Sequence, residues 1–151
     1  MNSKTFRTLS TDVISLLYVS LMLYTAISKV RTFTETREQL SLMPLMERYS
    51  DVVAFGLPGL EVIISILIFI PRTRRIGLYA VSGLMILFTI YVAYLIRFHP
   101  HLPCTCGGFI SALSWPQHLI FNSAFIALGI LAIYLDKRSR IDAGGNNYHF
   151  V

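Results

Sequence analysis

VVAFGLPGLEVIISILIFI (residues 52–70), PRTRR (71–75) and IGLYAVSGLMILFTIYVAYLIRF (76–98) follow one another without interruption. The two long pieces hold one internal carboxylate, Glu61, and one cation, Arg97, at the far end of the second. A helix needs about 20 apolar residues to cross ~30 Å of hydrocarbon at 1.5 Å per residue, so each piece predicts one membrane span. The arginine-rich stretch between them is long enough only for a turn, and the two spans must run antiparallel.

Outward from this hairpin, two more runs of the same kind cover residues 12–30 and 116–135. Ser10, Thr11 and Asp12 offer N-caps to the first. Ser114, ahead of Pro116 and Gln117, resembles a capping box with proline in the first turn. Composition agrees: the 151 residues are 54% hydrophobic and 14% charged, with a mean hydropathy of +0.61, too apolar for a domain whose surface must face water. The expected fold is all-α, an integral membrane four-helix bundle over residues 1–140. A flexible tail is expected over 141–151, where Gly144, Gly145, Asn146 and Asn147 fall together.

The net charge is +5, but the basic residues lie between apolar runs and not in a stripe interleaved with aromatics. That pattern argues against nucleic acid and makes the lipid bilayer the first partner. Lys4 and Arg7, followed by an apolar run and Ala26-Ile27-Ser28, also fit a secretory signal; the run is long for a signal core and reads better as a span.

Lysine and arginine placement sets the orientation. Lys4, Arg7, Arg72, Arg74, Arg75, Lys137, Arg138 and Arg140 lie on one side, against Lys29, Arg31, Arg37, Arg48 and Arg97 on the other. The first group predicts a cytoplasmic face carrying both termini. In a bacterial inner membrane, segments 31–51 and 99–115 then face the periplasm. Leu40, Met43 and Met46 in the first of these recur at helical spacing, consistent with a short amphipathic helix at the interface or a loop packed on the bundle, and Pro44 interrupts them.

The second outer segment reads His99-Pro100-His101-Leu102-Pro103-Cys104-Thr105-Cys106-Gly107-Gly108-Phe109 and holds both cysteines of the chain. A Cys-x-Cys ring closes only under strain, because bridged Cα atoms lie roughly 4.4–6.8 Å apart. So small a ring also removes little denatured-chain entropy. A structural bridge is poorly motivated, and reversible thiol chemistry fits better. Pro103 fixes the approach to the pair, and Gly107-Gly108 permits another backbone to come close. The rival reading takes His99, His101, Cys104 and Cys106 as a compressed four-ligand set for zinc or copper.

Glu61 is deep in its span, where a carboxyl must face the interior, take a proton or find a cation. Lys29, at the outer end of the first run, is the nearest basic candidate; its alternative is simple snorkelling to the interface. Pro58 frees the carbonyl of Ala54 one turn away and exposes polar backbone. Trp115 and His118 open the fourth run beside the cysteine segment. The tryptophan suits an interfacial anchor. An imidazole there is either a hydrogen-bonded structural group or a base for a cysteine thiol, whose thiolate is the nucleophile in exchange.

With these residues in place, the chain resembles the MauE branch of the MauE/DoxX-like redox-associated membrane proteins. The resemblance rests on Ser28-Lys29-Val30, Pro58-Gly59-Leu60-Glu61, Cys104-Thr105-Cys106-Gly107-Gly108, and Ser114-Trp115 with His118 and Asn122. It implies a four-helix bundle that handles disulfides in the cell envelope, with Cys104 and Cys106 as the redox pair and a thioredoxin-like protein as partner. Related DoxX-like proteins are linked to quinone-coupled oxidation, which implies a quinone near Glu61, Trp115 and His118. Quinone-linked disulfide generators with four helices usually carry two cysteine pairs; this chain has one, so a relay needs a second protein. The expected function is thiol–disulfide redox exchange, with Cys104, Cys106, His118, Glu61 and Lys29 as its chemical groups. The alternative is a non-catalytic scaffold or metal-binding subunit of an envelope complex.

Overall fold

The computed structural model describes residues 3–98 and 114–144. Its helices are α1 (Ser3–Arg31), α2 (Phe33–Ser41), α3 (Ser50–Phe69), α4 (Arg74–Phe98) and α5 (Trp115–Gly144), with a 3₁₀ turn at Glu47–Tyr49. Among the described residues there is no strand. Four helices, α1, α3, α4 and α5, are long and apolar enough to cross a membrane. The protein is an integral membrane four-helix bundle.

Its polarity is inverted relative to a soluble bundle. Leu16, Ile63, Leu87 and Ile120 stand outward, while Ser15, Lys29, Glu61, Ser82, His118 and Asn122 are buried between helices. Water would reverse that arrangement; hydrocarbon demands it, because a polar group facing lipid has no partner. The apolar core is a narrower seam. Ile14, Tyr18 and Met22 stack at intervals of four along α1, against Ile64 and Ile68 of α3, Leu78, Val81 and Met85 of α4, and Ala132 of α5. Tyr18 carries the one large polar tip in this seam, and its hydroxyl donates to the backbone carbonyl of Phe125 in α5. Its ring meets that of Phe125 edge-on at 5.5 Å and 76°.

The arginine-rich turn works as a clasp. Thr73 Oγ1 donates back to the Leu67 carbonyl at 2.9 Å, closing the α3–α4 corner. Arg74 then pairs with Asp12 of α1 at 2.5 Å, and Arg75 with Asp136 of α5 at 3.1 Å. This use of Asp12 corrects the expected start of the first helix. Residues 10–12 do not cap α1, which begins at Ser3: Thr11 bonds back to the Arg7 carbonyl at 3.0 Å, and the Asp12 carboxylate serves Arg74 instead of its own backbone. At the other end of the chain α5 continues through Gly144, so residues 141–144 of the expected tail are helical. No glycine or proline interrupts the sequence between Leu135 and that point. The start of α5 is as expected, with the Gln117 side chain accepting from the Ser114 backbone N–H at 2.9 Å.

Two glycines of α4 differ in what surrounds them. A Cβ on Gly77 would fall 2.7 Å from the backbone nitrogen of Ile68 and 2.9 Å from the carbonyl carbon of Leu67, whereas one on Gly83 would meet nothing within 4 Å. Backbone cannot step aside as a side chain can. Gly77→Ala should therefore open the α3–α4 corner and cost about 1–3 kcal/mol. Gly83→Ala should be neutral or gain up to about 1 kcal/mol from helix propensity. Unfolding of the two variants in detergent, followed by circular dichroism, checks the contrast; equal effects would contradict this account of the corner.

Candidate functional site

At the end of the bundle where α1 and α4 finish and α3 and α5 begin, three helices direct polar groups inward. α1 contributes Thr25 and Lys29, four residues apart and so on one face. α3 contributes Glu61, and α5 contributes His118 and Asn122, again four apart. Leu84, Met85 and Phe88 of α4 complete the wall of a cavity of about 60 Å³ that all of these line.

Lys29 Nζ donates to Glu61 Oε1 at 2.6 Å, with the two side chains only 10% and 6% exposed. The cation that Glu61 requires is thus Lys29, and the lysine does not snorkel. Residues 33–46, α2 and the stretch that follows it, pack beside this end of α1 as a strap, with Thr36, Leu40, Met43 and Met46 around Lys29. Tyr91 of α4 fastens that strap by donating to the Pro44 carbonyl at 2.9 Å. Pro44 separates the two helical pieces, and Leu45 beside it takes a positive φ of 70°. Met43 is buried, and Leu40, Met43 and Met46 line a second, larger cavity of about 170 Å³ beneath the strap. Those three residues face the protein, as expected for a segment packed on the bundle, while Leu42 and Leu45 stand exposed.

Removing two charges from water costs several kcal/mol per ion, and only close, well-supported geometry repays it. Lys29 and Glu61 have the closeness but not the full complement of bonds. Glu61 Oε2 and Asn122 Nδ2 are buried without a hydrogen-bond partner among the described residues. Ser65 Oγ donates to the Glu61 backbone carbonyl at 2.8 Å and so leaves the carboxylate untouched. His118 is almost wholly buried; its backbone N–H bonds the Ser114 carbonyl at 2.9 Å, and its ring packs against Phe88 at 5.6 Å between centroids.

Of the residues singled out from sequence, Lys29, Glu61 and His118 therefore converge on one cavity. Trp115 begins α5, but its side chain lies outside the described residues. Cys104 and Cys106 lie outside them too, as do His99 and His101 of the rival metal set. Among the described residues, no three His, Cys, Asp or Glu side chains gather as metal ligands. Sequence reasoning gave Asn122 no role of its own, although its spacing of four from His118 put both on one face of α5. The larger cavity left no readable signal, because its walls come from α1, α3, α4 and the strap at once.

Fold and site together define a four-helix membrane protein with an internal ion pair set beside a histidine and an asparagine. More narrowly, the chain belongs to the family of methylamine utilisation protein MauE, which it matches over residues 7–135. That span contains every residue of the polar cluster. Comparisons with curated proteins and with solved structures gave no match.

The ion pair generates a stability prediction. Lys29→Met strands a buried carboxylate and should cost about 3–5 kcal/mol, whereas Lys29→Met/Glu61→Leu removes both charges and should recover most of that loss. Denaturant unfolding in detergent reads both variants. A double variant as unstable as the sum of the two single variants would show that the side chains do not interact.

Proposed function

We propose that this protein is a membrane thiol–disulfide redox protein that exchanges its Cys104–Cys106 pair with a thioredoxin-like or other thiol protein of the cell envelope. Its family membership supports the reading, and one observation carries it: the polar cluster lies at the same end of the bundle from which the cysteine segment departs and to which it returns. Cys104 follows Phe98 by six residues and Cys106 precedes Ser114 by eight. At ~3.5 Å per residue the pair is tethered within about 21 Å and 28 Å of those two helix ends.

In the exchange, a thiolate of the partner attacks one sulfur of the Cys104–Cys106 bond, which breaks as a mixed disulfide forms. The partner's second thiol then displaces the remaining cysteine. The partner leaves oxidised, and Cys104 and Cys106 are left as a dithiol. Two electrons and two protons must leave that dithiol before the next cycle. With one cysteine pair, the chain cannot pass them to a second pair of its own.

In this reading His118 takes a thiol proton and the Lys29–Glu61 pair passes it inward. A lipid-soluble quinone, when bound, supplies the acceptor for two electrons and two protons. Asn122 Nδ2, unpartnered among the described residues, suits a quinone carbonyl because it donates and requires an acceptor. Lys29, Glu61 and Asn122 are the residues that would hold it. In this reading the cysteines face the periplasm of a bacterial inner membrane and both termini are cytoplasmic.

Alkylation with a mass-tagged maleimide in glutathione buffers of graded potential tests the exchange. The expected result is closure of both thiols together, with a Cys106→Ser or Cys104→Ser variant accumulating a mixed disulfide with one envelope protein. A pair that stays reduced at every potential would remove the basis of the proposal.

A further inference from the structure

The two cavities share Lys29, Leu57, Leu84 and Phe88 as a common wall. Their sizes and linings differ in a way that specifies a ligand. The larger, about 170 Å³, is comparable with the ~150 Å³ apolar cavity that accepts a benzene ring in a soluble protein. Its lining is apolar except chiefly for Lys29, Thr36 and Tyr91. The smaller, about 60 Å³, is too small for a ring with substituents but ample for a polar substituent or a few waters. Glu61 and Asn122 line it; Glu61 Oε2 and Asn122 Nδ2 have no hydrogen-bond partner among the described residues, and the two residues are only 5% and 2% exposed.

Those two atoms ask for opposite things. The amide nitrogen donates and requires an acceptor; a carboxylate paired with a lysine accepts only and requires a donor. One hydroxyl supplies both, whereas a carbonyl supplies only the acceptor. We infer that the site binds a hydroquinone-class lipid, with its ring in the larger cavity and one ring hydroxyl reaching past the shared wall to donate to Glu61 Oε2 and accept from Asn122 Nδ2. This deepens the quinone part of the proposed function. It also moves the ring from the neighbourhood of Trp115 and His118 to the space beneath the strap, against Met43, Phe88 and Tyr91. The reduced form binds more tightly than the oxidised form, because the oxidised form presents a carbonyl oxygen to a carboxylate. By linkage, preferential binding of the reduced form makes the bound carrier a stronger oxidant than the free one.

Binding is measured on the full chain in lipid nanodiscs with Cys104→Ser/Cys106→Ser, so that no thiol alters the redox state of the probe. Three decyl-tailed probes are titrated by calorimetry: a benzoquinol, its quinone, and the quinol's dimethyl ether, which keeps the ring and lacks the donor. The expected result is one quinol per chain, bound about tenfold more tightly than either of the others. Asn122→Leu should weaken the quinol about tenfold, and Leu84→Trp should abolish binding of all three. Equal affinity for the three probes, or no saturable binding because water alone occupies the site, would overturn the inference. Since this comparison needs no cysteine, it can fail while thiol exchange stands, and the reverse.

Discussion

A carboxylate halfway along an apolar helix is untenable unless something neutralises it, and in this protein that something is Lys29. The 2.6 Å contact between Lys29 Nζ and Glu61 Oε1 fixes how far α1 must extend, which face of α3 turns inward, and why the end of the bundle must be covered. The strap of residues 33–46 follows from that need. It closes over the lysine, is fastened through Tyr91 and Pro44, and encloses the larger cavity between itself and the helices. At the opposite end, the pairs Arg74–Asp12 and Arg75–Asp136 hold the helices together near the arginine-rich turn. There both arginines and Asp12 remain partly exposed, and the geometry tolerates more variation.

Between these two charged ends runs the apolar seam centred on Tyr18. Helix association in lipid gains little from burying apolar surface, so close packing and interhelical hydrogen bonds carry it. The Tyr18 hydroxyl bonding the Phe125 carbonyl and the fit of Gly77 against the backbone of Ile68 are instances of each. Among the described residues, Glu61 and Asn122 are two of the residues that depart from this pattern, each with one buried polar atom unpartnered. Such atoms are uncommon in native proteins and call for an explanation such as a ligand. Their position on the Lys29–Glu61 cavity is what joins the fold to the proposed redox function.

Much of this was legible from the residues. The four spans declare themselves because charge is nearly absent from long runs and returns sharply at their ends. The Ser114–Gln117 box marks the start of α5 by local chemistry alone. Pairing of Glu61 with Lys29 was also within reach, since an intramembrane carboxylate must seek a cation and that lysine sits at the neighbouring helix end. The start of α1 is not legible, because Ser10, Thr11 and Asp12 have the chemistry of a cap and only the position of Arg74 in space reveals that Asp12 has another use. The inward orientation of Leu40, Met43 and Met46 was ambiguous for a related reason: a helical apolar stripe packs equally well on lipid or on protein, and its partner is determined by tertiary contacts. The same holds for the larger cavity, which exists only where four separate segments meet.

The dependence of the fold on one ion pair is open to a direct measurement by charge exchange. Lys29→Glu and Glu61→Lys each bring two like charges into the bundle interior and should each lower the unfolding midpoint in detergent substantially. Carried together, the two substitutions restore opposite charges at the same two positions. The account predicts that the double variant unfolds well above either single variant. A double variant no more stable than the weaker single one would contradict it.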